Sequence, residues 1–287
     1  MSKAAYHLIH PQRRSTAVVF ASPHSARDYS WSFLRRTRLN EHSVRSSEDA
    51  FVDKLFDCAP QMGAPFLMAG APRAFVDLNR SADELDPALI EGVPKAGHNP
   101  RVASGLGVIP RVVANGQAIY PGKITRDEAE RRIDIYWRPY HAALAAQMDQ
   151  AQAMFGQAIL VDCHSMPHEA MDSVAGAGMR RPEVVIGDRF GASARNDIVD
   201  RIEAAFTDAG LCVVRNAPFA GAYITQHYGR PSRNRHAVQL EIDRSLYMNE
   251  QLIRENGNFK NFRRLLRRVV GDITKIGRPQ DRPLAAE

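Results

Sequence analysis

The stretch Ile159-Leu160-Val161-Asp162-Cys163-His164-Ser165 decides the fold. Three consecutive large apolar residues read as a strand covered on both faces, and such strands belong to sheets flanked by helices. The run breaks into polar residues at its carboxyl end, where an acid and a histidine follow two residues apart. Ala17-Val18-Val19-Phe20-Ala21-Ser22-Pro23-His24 repeats the arrangement, an apolar run that delivers a histidine just past its end. In open α/β sheets, ligands bind in the crevice outside the carboxyl ends of the strands. Two histidines presented in this way point to one shared site.

The rest of the chain fits that frame. Strands are expected at 16–21, 65–69, 74–78, 158–162, 183–186, 211–215 and 237–242. Helices are expected at about 48–61, 126–155, 194–209 and 258–276, and Thr125 with Glu128 has the spacing of a capping box at the start of the second. The alternation argues for an α/β layered architecture. Residues 83–120 and 217–234, with Pro and Gly at irregular intervals, read as binding loops or lids. Neither a repeat nor a linker interrupts the 287 residues, so a single domain over 1–287 is expected.

Composition narrows the function classes. With 44% hydrophobic and 24% charged residues, the chain is a folded protein with enough core to need no metal for stability alone. The 38 Lys+Arg against 32 Asp+Glu give +6, compatible with anionic substrates. Cys58, Cys163 and Cys212 stand apart from one another among apolar neighbours and read as reduced thiols. With no apolar run of membrane-spanning length and no signal segment, the expected location is the cytoplasm. The last helix carries Arg263, Arg264, Arg267 and Arg268, but without interleaved aromatics it reads as a solvated face, and no nucleic-acid partner is expected.

Several side chains are suited to chemistry. Neutral imidazole is a common zinc ligand, and catalytic zinc typically takes three protein ligands. His24 and His164 therefore call for a third, and Glu48 and Asp49 are the best placed acids, with Asp162 suited to orienting His164. Arg73, Asn79 and Arg80 offer forks and a neutral donor for a carboxylate. Glu241 interrupts an apolar strand and must be paired, bound to metal or held for proton transfer.

In this order, Ser22-Pro23-His24-Ser25, Glu48-Asp49, Arg73 with Asp77-Leu78-Asn79-Arg80, Trp137-Arg138-Pro139-Tyr140-His141, Asp162-Cys163-His164-Ser165, Gly221-Ala222-Tyr223-Ile224-Thr225 with His227-Tyr228-Gly229, and His236 to Glu241 resemble the N-formylglutamate amidohydrolase family. The resemblance spans residues 17 to about 248. It implies a three-layer α/β sandwich, a central mixed sheet flanked by helices as in the zinc carboxypeptidases and the aspartoacylase group. By the same resemblance, Zn2+ would be held by His24, Asp49 and His164, with Glu48 as the fallback acid. Glu241 would be the general base, Arg73 would stabilise the oxyanion, and Asn79 and Arg80 would anchor the substrate's carboxylate. Tyr223 and His236 would line the substrate site. The implied reaction releases formate from a small acidic N-acyl amino acid, most plausibly N-formyl-L-glutamate, and would then serve histidine degradation.

This chain has Ala26 and Ala222 where the family usually has glycine. These residues and the 83–120 loop motivate a second reading, a carboxypeptidase-like or other N-acyl hydrolase of the same fold. A third is a basic binding protein without enzymatic activity, which leaves the strand-end polar groups unexplained. The sequence is silent on the oligomeric state.

Overall fold

A computed structural model describes residues 4–94, 99–172 and 180–278; both ends of the expected 1–287 domain extend outside these. The frame is one seven-stranded sheet: β1 (Tyr6–Ile9), β2 (Val18–Ser22), β3 (Phe66–Ala69), β4 (Ala158–Met166), β5 (Val184–Gly187), β6 (Val213–Arg215) and β7 (Arg235–Asp243). Their spatial order is β1-β3-β2-β4-β7-β5-β6. β3, β2, β4 and β7 run parallel, whereas β1 and β5 pair antiparallel to β3 and β7. The sheet is thus mixed, as expected.

Alternation along the central strands divides the interior in two. Val18, Phe20, Ile159, Val161, Cys163, Val238, Leu240 and Ile242 face one core. There the long helices α2 (Asn196–Thr207) and α4 (Phe259–Ile276) cover them with Ile198, Ile202, Leu266, Val269 and Ile273. Val19, Ala21, Leu160 and Ala237 face the other, covered by Tyr140, Leu144 and Met148 of α1, which runs over 126–155. Between α2 and α4 in the chain, the short α3 (Tyr223–Tyr228) packs on β7. Thr125 caps α1 as the sequence predicts, its hydroxyl accepting from Glu128 N at 3.3 Å. Inside α1, Ile133–Trp137 forms a π turn, a widening common at functional sites.

Three expectations change. The strand at 74–78 is absent: Pro72 starts a turn accepting from Phe75 and Val76, and Asp77 Oδ1 accepts from Asn79 N at 2.8 Å. An Asp that captures nearby backbone in this way competes with a sheet ladder. The helix at 48–61 shrinks to Val52–Leu55 and a 3-10 turn at Ala59–Met62, because Phe51 takes a left-handed φ of 68° that swings the preceding acids away. Edge strand β1 was not anticipated; its burial pattern alternates half-buried with exposed, and its polar residues mask the period.

Candidate active site

β2, β4 and β7 all end on the same edge of the sheet, and they deliver His24, His164 and Glu241 there. Strand alternation decides which face these groups occupy. Asp162 and His164 share the face of Leu160, and the ladder sets Gln239 opposite Asp162 and Glu241 opposite His164. All four therefore stand on the α1 side, beyond the point where apolar packing ends.

His24, Asp49 and His164 converge, each buried, with one ligand atom apiece lying within 4.8 Å of the others. His24 Nδ1 has no hydrogen-bond partner and lies 3.4 Å from Asp49 Oδ2; His164 Nδ1 is 2.9 Å from the same oxygen. Each imidazole is held from behind by a carboxylate at Nε2, His24 by Asp77 at 2.7 Å and His164 by Asp162 at 2.9 Å. A carboxylate behind each histidine is the arrangement that fixes tautomer and ring orientation around a bound metal. Glu48 turns away to Arg45. The donor set could hold a divalent cation, and Asp49 rather than Glu48 is the acid that lies within reach of both histidines.

The electrostatics agree. Burial opposes ionisation of Asp49, but the His164 and His24 imidazoles beside it hold it well below the usual carboxylate range. Asp77 is held low against burial by His24, Arg73 and Arg80. Burial lowers His164, yet Asp162 and Asp49 outweigh it and raise it well above its ordinary value, so the pocket favours positive charge at this point. Arg244, unforeseen from the sequence, fixes the outer side of Asp49: its Nη2 donates to Oδ1 at 3.1 Å and to Glu48 O at 2.8 Å. Burial pushes Glu241 up to about 7; the Asp49 carboxylate adds to the rise, and His164, Arg73 and Arg244 resist it.

These groups line a cavity of about 550 Å³, together with Arg73, Asn79, Arg80, Arg101, Gln239 and Ala222. Arg73 is tied through Nε to Asp77 Oδ2 at 3.1 Å, so Asp77 joins this arginine to His24. Asn79 spends its amide internally. Its Nδ2 lies 3.1 Å from His164 Nε2 and donates to Asp162 at 3.2 Å, and its Oδ1 accepts from Ile224 N at 2.7 Å. It is a brace between the strand-end groups and α3. Trp137 Nε1 donates to Arg80 O and His141 Nε2 to Leu78 O, both at 2.9 Å. The π turn and the helix after it thereby clamp the 77–80 segment.

Two expected lining residues are not brought to this cavity. Tyr223 starts α3, stacks on His227 at 5.1 Å and packs beside Trp137. His236 lies five positions before Glu241 on β7, and that odd spacing turns it to the opposite face, where Nδ1 accepts from Arg195 N at 3.4 Å. Of the alanines, Ala222 lines the cavity and Ala26 lies in a separate shallow groove.

His236 is buried and held down to about 4 by burial and Arg195. A histidine whose folded pKa lies below its unfolded value of about 6.5 loses stability for the fold as pH falls through 6.5, at about 1.4 kcal/mol per pH unit, until the folded pKa is reached. Glu241, raised in the fold, has the opposite slope between its ordinary value and about 7, so a difference measurement isolates the histidine. His236→Asn, which keeps an acceptor near Arg195 N, should gain about 2 kcal/mol relative to the parent between pH 7 and pH 5. Chemical denaturation at both pH values checks this; an unchanged difference would mean His236 titrates freely.

A sequence profile for N-formylglutamate amidohydrolases matches residues 16–248, a span that includes His24, Asp49, His164 and Glu241. The chain belongs to the N-formylglutamate amidohydrolase family. It is accordingly a hydrolase of amide carbon–nitrogen bonds. An N-formylglutamate deformylase of Pseudomonas aeruginosa is 31% identical over 217 residues, covering 74% of this chain and 75% of that protein. The N-formylglutamate deformylase of Pseudomonas putida is 31% identical over 205 residues, covering 70% and 71%. The crystal structure of an N-formylglutamate amidohydrolase from Ralstonia eutropha JMP134 superposes with a TM-score of 0.89 at 32% identity, over 96% of this chain and 99% of that one. Family membership explains why the sheet edge carries so much buried charge, and among the described residues no helix is long and apolar enough to cross a membrane.

Proposed function

We propose that this member of the family is a zinc-dependent deformylase that hydrolyses N-formyl-L-glutamate to formate and L-glutamate. The observation that carries the reading is the His24–Asp49–His164 cluster, set beside Glu241 in a cavity lined by four arginines. His24 Nδ1, His164 Nδ1 and an Asp49 oxygen would hold the metal, and nitrogen and carboxylate donors of this kind suit zinc. When bound, zinc supplies Lewis acidity toward the formyl oxygen and lowers the pKa of water.

The chain's own residues do the rest. Arg73 stands where it can donate to the oxygen that gains charge as water adds to the formyl carbon. Glu241, poised near 7, takes a proton from the attacking water and returns it to the glutamate nitrogen as the carbon–nitrogen bond breaks. Arg80 is mostly buried, with Nε and Nη1 fixed on the carbonyls of Leu106 and Asn79, so it offers its remaining edge to a carboxylate without a large ordering cost. Arg73, Arg80, Arg101 and Arg244 against Asp49, Asp77 and Glu241 leave the lining positive once a divalent ion is added, which favours an anionic substrate. Free Cys58, Cys163 and Cys212 fit the cytoplasm as the place of work.

Formate release by the purified protein should be measured for N-formyl-, N-acetyl- and N-succinyl-L-glutamate and short peptides, with metal content determined on the same sample. Selective release of formate from N-formyl-L-glutamate by protein carrying about one zinc per chain is expected. Preference for a peptide or a longer acyl group would replace the substrate, favouring the second reading that Ala222 and the 83–120 loop support.

A further inference from the structure

Of the four arginines lining the cavity, three are engaged. Arg73 holds Asp77, Arg244 holds Asp49 and the carbonyl of Glu48, and Arg80 is pinned by two carbonyls. Arg101, on the short helix Pro100–Ala103, is exposed, and its guanidinium makes no hydrogen bond or ion pair among the described residues. Leu106 ties it to Arg80 through the backbone. Leu106 N donates to Arg101 O at 2.8 Å, and Leu106 O accepts from Arg80 Nε at 2.9 Å. The loop that carries both links is itself anchored, with Asp77 N donating to Val108 O at 2.8 Å and Arg111 Nε to Asp86 at 2.8 Å.

Two cations therefore open onto one cavity. Arg80 is lowered chiefly by burial; Asp77 and Glu84 raise it, while Arg73 and Arg101 push it down. The acids of the lining, Asp49, Asp77 and Glu241, all stand at the histidine end. Like charges left facing each other are relieved by a bound anion. Resting on the N-acyl amino acid reading above, we infer that Arg101 is the specificity-determining residue that binds the side-chain carboxylate of a dicarboxylic substrate. An α-carboxylate lies one carbon from the scissile nitrogen and takes the nearer cation, Arg80, which follows Asn79 and its contact with His164. A γ-carboxylate lies two carbons further out, toward the exposed end of the cavity, where Arg101 is the free charge. The 83–120 loop thus reads the amino acid, while the sheet edge reads the amide.

The test compares N-formyl-L-glutamate with N-formyl-L-norvaline, which lacks the second carboxylate, on the metal-loaded enzyme. In Arg101→Gln, the ratio of kcat/KM for the two substrates should collapse by about 10- to 100-fold, chiefly through KM for the glutamate compound. Arg101→Lys should keep most of the ratio, because it keeps the charge. An equal fall for both substrates, or an unchanged ratio, would overturn the assignment. Should the parent enzyme hydrolyse neither compound, the deformylase reading fails, and Arg101 is then judged by binding alone. Glutarate should raise Tm more than butyrate in the parent and lose that advantage in Arg101→Gln; equal shifts in the parent would end the inference.

Discussion

With Glu241 replaced by Gln, the protein is expected to keep its fold and its metal while hydrolysing N-formyl-L-glutamate about 10³-fold more slowly, within the range that general acid–base groups contribute. The argument starts from the ladder. Glu241 stands directly opposite His164 on neighbouring parallel strands and accepts from Gln239 Nε2 at 2.8 Å, so it is fixed beside the cluster without belonging to it. Burial brings its pKa up to about 7, where a carboxylate accepts and releases a proton with equal ease near neutral pH. Glutamine has the same shape, can keep the contact with Gln239 by turning its amide, and has no proton to carry. Turnover, metal content and thermal melting on one preparation separate the outcomes. Undiminished turnover would remove Glu241 from the mechanism, and loss of metal would make it a ligand instead.

Removing the metal is expected to take formate release to background and to lower Tm while leaving one cooperative unfolding transition, and added zinc should restore both. The chain's own contacts explain why the fold survives. Without a cation, Asp49 still has His164 and Arg244, and His24 and His164 still have Asp77 and Asp162 behind them, so no charge is stranded. The two large cores lie on either side of the sheet, away from the cluster. The drop in Tm reflects only the lost binding free energy, RT ln(1 + [metal]/Kd). Activity that persists after exhaustive chelation, with zinc absent by elemental analysis, would refute the metal-dependent reading. Collapse of the fold would show instead that the ion is structural.

How far these groups could be read in advance follows from which signals survive in one dimension. Polar residues at the ends of apolar runs pointed to His24 and His164, because sheet geometry brings the ends of adjacent parallel strands together, and an acid interrupting an apolar strand pointed to Glu241. Asp162 was legible as an orienter, since two residues along a strand return to the same face. The same period would have found Gln239 from Glu241 and turned His236 away, but the resemblance drew His236 into the site. Asp77 and Arg244 act through contacts made by turns, and Arg101 sits on a short helix within a long loop, where no period exists to place a side chain. The missing strand at 74–78 and the shortened helix at 48–61 share a cause. Both segments have local patterns that favour regular structure, and both give it up where Asp77 and Asp49 turn inward to serve the histidines. Local propensity lost to the needs of the site.

The π turn in α1 has a consequence for chain length. A π turn holds one residue more than the α turn it replaces, so the helix before residue 133 and the helix after 137 are locked in phase by a single extra residue. Deleting one residue within Ile133–Trp137 would let the helix close into uninterrupted α form, rotating one half against the other by about 100°. Either the stripe of Tyr140, Leu144 and Met148 would leave the sheet, or Arg132, paired with Glu128 ahead of the turn, would lose its partners Phe75 O and Tyr120 Oη. Substitutions on the outer face of this helix are cheap, but its residue count is fixed to the unit, because Trp137 and His141 hold the 77–80 segment while Arg132, ahead of the turn, holds Phe75 and Tyr120.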